Sequence, residues 1–128
     1  MMVDRRAFLG GLGFLGAAAL AGRAAAHHGY MAWDTENPIV LDGWISKEMD
    51  GFPHWEIRVR VGGEDWAVDI GDKFTLQKAG FNDKGKDFKM RRKIRVEGVR
   101  PVDRSILRIL PSRITLEGDE PRDIEVDG

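Results

Sequence analysis

The chain has 128 residues, with 20 basic and 21 acidic side chains, a formal net charge of −1, three histidines and no cysteine. That length allows one domain built on one modest core. The missing cysteine excludes disulfides and thiolate metal sites, so any metal chemistry has to use histidine, carboxylate, methionine or a terminal amine.

Residues 1–26 run from Asp4-Arg5-Arg6 through an apolar stretch, Ala7 to Ala21, to the small residues Ala24-Ala25-Ala26. This is the three-part pattern of a cleaved export signal. The Arg5-Arg6-Ala7-Phe8-Leu9 run, the Gly/Ala-rich middle and Arg23 near the cut predict the twin-arginine route and a periplasmic product. The apolar run is about 16 residues, short of the ~20 that span a bilayer, so no transmembrane segment is expected in the mature protein. Cleavage takes three of the 20 basic residues and one of the 21 acidic ones, leaving a mildly acidic domain of net charge −3.

Residues 27–38 read as a histidine-containing arm. From Ile39 the residues alternate with period two, the signature of strands. Ile39, Leu41, Gly43 and Ile45 share one face of a first strand, which ends at a turn around Asp50-Gly51-Phe52-Pro53. Trp55, Ile57, Val59 and Val61 share a face of the second, with His54, Glu56, Arg58 and Arg60 on the polar side. Gly62-Gly63-Glu64-Asp65 makes a hairpin turn into a third strand carrying Trp66, Val68 and Ile70. Asp72 to Ala79 predicts a short helix, capped by Asp72, with Phe74 and Leu76 as its apolar residues and Gly80 as its stop. A polar loop over Phe81 to Lys93 precedes a fourth strand through Ile94, Val96 and Gly98, and a fifth spans Ile106 to Leu116, interrupted by Pro111. Three strands, a helix and two strands are the order of a five-stranded OB-fold-like barrel, so the fold expected is mainly β with one short helix, over residues 39–118. Residues 119–128 read as an acidic, mobile tail. Trp33, Trp44, Trp55 and Trp66 recur every 11 residues, but their flanks do not match and imply no repeat.

All three histidines fall in two places. A cut after Ala26 makes His27 the N-terminal residue, whose α-amine and ring Nδ1 can chelate one ion; the amine titrates near ~8. His28 follows directly, and His54 offers a third imidazole from the first strand turn. Imidazoles and an amine without thiolate suit Cu(II), with Ni(II) and Zn(II) as weaker competitors. The arrangement resembles the histidine brace of copper proteins. Tyr30, Met31 and Trp33 are packing residues able to pin the arm, and Met31 is also a soft axial ligand in reach of such an ion.

Lys84, Lys86, Lys89, Arg91, Arg92, Lys93 and Arg95 form a basic cluster with one aromatic, Phe88. That lacks the interleaved stacking set of single-strand nucleic-acid binders, and export makes nucleic acid an unsuitable partner. A solvated loop is the plain reading of the run, with lipid headgroups or an acidic partner protein as the alternatives. Asp69 and Asp72 flank Gly71 without a third acid or base, and no phosphate loop, zinc-protease helix or serine triad is present, so no enzyme is expected.

In their order along the chain, Ala26-His27-His28-Gly29-Tyr30, Pro38 to Gly43, Pro53-His54, Trp66 and Gly98 resemble the exported bacterial family called domain of unknown function 6152. Phe52 stands where that family usually has Asn before Pro-His. The resemblance implies a small exported barrel and gives weight to His27, His28 and His54; it implies no activity. The sequence therefore predicts a periplasmic copper carrier or buffer using His27, His28 and His54. The alternative is an OB-like module that binds no metal and engages a protein or envelope lipid.

Overall fold

The computed structural model describes residues 31–51 and 54–127. The expected signal segment, His27, His28 and Tyr30 lie outside the described residues.

β1 (Ile39–Asp50) is twelve residues long and serves two ladders. Its first half pairs antiparallel with β4 (Lys93–Val99), from Ile39 opposite Gly98 to Trp44 opposite Lys93. Its second half pairs antiparallel with β2 (Trp55–Val61), from Trp44 opposite Arg60 to Asp50 opposite Glu56. A strand shared in this way has to approach its neighbour closely where it changes partner, and Gly43 stands there: a Cβ would lie 1.9 Å from the Arg60 carbonyl oxygen.

β2 turns through Gly62-Gly63 into β3 (Glu64–Gly71), again antiparallel. β5 (Arg108–Leu116) pairs antiparallel with β4 and, at its start, parallel with β3, Ala67 opposite Arg108 and Val68 opposite Ile109. That parallel seam closes β3-β2-β1-β4-β5 into the expected five-stranded barrel and removes its edges. Pro111, which has no N–H for the ladder, is accommodated by a bulge. Gly98 faces Pro111 while Glu97 faces Arg113, leaving Ser112 as the extra residue.

The alternation seen in the sequence becomes the interior. Ile45, Ile57, Val59, Val68, Ile70, Val96, Ile109 and Ile114 are fully buried, and Trp66 is nearly so. One end of this core is covered by α1 (Lys73–Ala79). Asp72 caps it by accepting the Thr75 N–H at 3.0 Å while the Thr75 hydroxyl accepts the Asp72 N–H at 3.3 Å. Gly80, at φ 87°, ends it in the left-handed conformation.

Three expectations are corrected. Leu76 is completely buried, but Phe74 is 66% exposed and takes no part in the core. The loop after α1 is not merely polar, because Phe81 and Phe88 are both buried, their ring centroids 5.1 Å apart. The segment after Gly118 is docked: β6 (Arg122–Asp123) pairs antiparallel with β5, and Ile124 is buried in the core. Hydrophobic burial and main-chain pairing there outweigh the acidic composition that suggested a mobile tail.

Candidate metal centre

His54 is exposed, immediately before β2, at the end of the barrel where Trp55 faces Gly71. Glu56 lies opposite Asp69 across the β2–β3 ladder, so both carboxylates sit on the barrel's outer face. Closure of the barrel brings Arg108 of β5 between them: its Nη2 donates to Glu56 Oε1 at 3.0 Å, and its Nη1 donates to Asp69 Oδ1. Arg58 Nε lies 3.4 Å from the second Glu56 oxygen.

Electrostatics ties His54 to this group. Burial pushes the Asp69 carboxyl above its ordinary value, against the lowering effects of Arg108 and His54. For Arg108, burial disfavours the charge, but Asp69 and Glu56 outweigh it and raise its pKa. The Asp72 carboxyl is held low, first by the Thr75 N–H it caps, with a smaller contribution from His54. Both acids flanking Gly71 are thus engaged, Asp72 in the helix cap and Asp69 with the Arg108 guanidinium.

The arm enters from Met31. Ala32 O accepts the Val102 N–H at 2.9 Å, Trp33 bridges Pro101, and the Asp34 N–H donates to Arg100 O at 2.8 Å. Asp34 also accepts a hydrogen bond from Arg104 and, at 3.0 Å, one from Asn37 Nδ2. The pairing is antiparallel.

Among the described residues, no group of three histidines or carboxylates is arranged to hold a metal ion, and no helix is long and apolar enough to cross a membrane. Of the three predicted histidine ligands, only His54 lies within the described residues. Sequence reasoning missed the Glu56–Arg108–Asp69 cluster. Its one signal was a pair of acids on the polar faces of adjacent strands, with nothing to indicate that an arginine 39 residues beyond Asp69 closes on them.

No curated protein and no solved structure matches the chain. The model of a family of unknown function, DUF6152, matches residues 16–106, a span that takes in all three histidines, the arm, β1 to β4 and α1. The chain belongs to that family.

Proposed function

We propose that the protein is an exported, periplasmic copper carrier or buffer rather than an enzyme, delivered by the twin-arginine route. Cu(II) would be held by the N-terminal amine and ring of His27, by His28 and by His54. The observation that carries this reading is that all three histidines fall in two places, two at the expected mature terminus and His54 exposed just before β2. The arm that follows His27 and His28 is pinned along residues 100–102, and His54 stands two residues before Glu56, which shares Arg108 with Asp69. His27 is five residues before Ala32. The ligand set is completed only after the signal is cut and the amine of His27 is free.

The test is a Cu(II) titration of the protein beginning at His27, followed by electron paramagnetic resonance. A version with one additional N-terminal alanine and a His54→Ala variant are measured beside it. One tight equivalent, weakened by both changes, supports the site. Weak binding that ignores His54 would leave the histidine pair as a nonspecific chelator and defeat the proposal.

A further inference from the structure

Ion pairing on the surface is uneven. Lys47 is matched with Asp50, Arg60 with Asp65, Lys78 with Glu125, Arg95 with Asp42 and Arg113 with Asp123. Within the basic run, Arg92 is taken by Asp119 at 3.2 Å and by the carbonyls of Asp87 and Glu117. Lys84, Lys86, Lys89, Arg91 and Lys93 are exposed and have no carboxylate partner among the described residues. Glu48 and Asp87, which line one groove with Lys84, Lys86 and Lys89, accept the Met90 N–H at 3.2 Å and the Asn82 N–H at 2.6 Å and form no ion pair with these lysines. Glu117, whose N–H donates to Lys93 O, lines the same groove as Trp44 and Lys93.

Two further features coincide with this patch. Trp44 and Met90 are 47% and 49% exposed, and Trp44 lies directly opposite Lys93 in the β1–β4 ladder, on the same face. Arg91 has φ 68° and is the one non-glycine with positive φ among the described residues. Its N–H donates to Ile45 O at 2.7 Å while the Ile45 N–H donates to Arg92 O at 2.9 Å, so two residues oppose one in a bulge. Glycine takes this bulge position without steric penalty. An arginine here works against local preference and adds a charge to the patch.

We propose that this face docks on an anionic phospholipid surface, with Trp44 and Met90 entering the headgroup layer among the five unpaired cations. Lysines spread along a loop, rather than donors converging on one point, match a diffuse negative surface. An exposed indole and thioether between them match its interfacial region. The inference is independent of the metal reading.

The test is sedimentation with vesicles of phosphatidylcholine alone and of phosphatidylcholine with phosphatidylglycerol, at low and high salt. The protein beginning at His27 is used, since the arm from Met31, the barrel and all their described contacts lie within residues 31–127. Binding is expected only to the anionic vesicles, and it should fade with salt. The triple change Lys84→Gln, Lys86→Gln, Lys89→Gln should weaken it about fivefold per charge, on the order of a hundredfold in all. Arg91→Gly should weaken binding while raising the melting temperature, a pairing of effects that a merely structural role would not give. Equal binding to both vesicles, no binding to the anionic ones, or indifference to the triple change would overturn the proposal. So would capture of soluble polyglutamate in place of vesicles, which would assign the face to an acidic protein.

Discussion

Arg108 holds two half-buried carboxylates; among the described residues Glu56 has only the longer ion pair to Arg58 besides, and Asp69 has no other ion pair. Arg108→Met is expected to destabilise by about 1–3 kcal/mol, less than a fully buried pair because solvent still screens these groups. The pH dependence has a definite sign. The Asp69 carboxyl is raised by burial, so its contribution is fully present below the unfolded value and is lost as pH rises through the folded one. Removing Arg108 deletes an opposing attraction and enlarges that shift. The variant's deficit should therefore be largest near pH 7 and shrink toward pH 4, as melting temperatures across that range would show; a constant deficit would mean that Asp69 is not the group left stranded. His54 could be placed from the sequence because alternation along β2 assigns it to the polar side. Arg108 could not, because alternation reveals a residue's face and not the neighbour that a distant strand brings to it.

Among the elements, α1 makes the sharpest contrast. Residues two apart on a helix point about 200° away from each other, so Phe74 and Leu76 cannot both face the core. Leu76→Ala is expected to lose about 2–5 kcal/mol and Phe74→Ala to stay within about 0.5 kcal/mol, measured by urea unfolding. A similar loss for both would mean that Phe74 has a partner the fold does not reveal. The caps of this helix were legible, because Asp72 and Gly80 act through local backbone geometry. β6 was not, because two paired residues and one buried isoleucine leave no periodic trace in an acidic stretch. Ile124→Ala should destabilise the protein by about 2–4 kcal/mol, whereas the same change in an undocked tail would be silent in thermal unfolding.

At the scale of the molecule, the order of elements and the inward residues were enough to predict the barrel. Strands of β-branched and aromatic residues with period two, interrupted once by a capped helix, leave few ways to bury every apolar face. What they did not reveal was the course of the arm or the pairing of surface charges, since both depend on which loops and side chains end up adjacent after closure. The expected basic cluster divides in the same way: Arg92 and Arg95 are neutralised by Asp119 and Asp42, residues remote in sequence, and five cations are left over.

The parallel seam between β3 and β5 also bears on how the chain is made. A chain in which β5 has not yet been made can pair β1 to β4 only as an open sheet, with β3 and β4 as free edges. Such an intermediate invites pairing with other nascent chains. The protease resistance of chains truncated from the C-terminus is expected to appear in one step, when the fifth strand is included, rather than strand by strand.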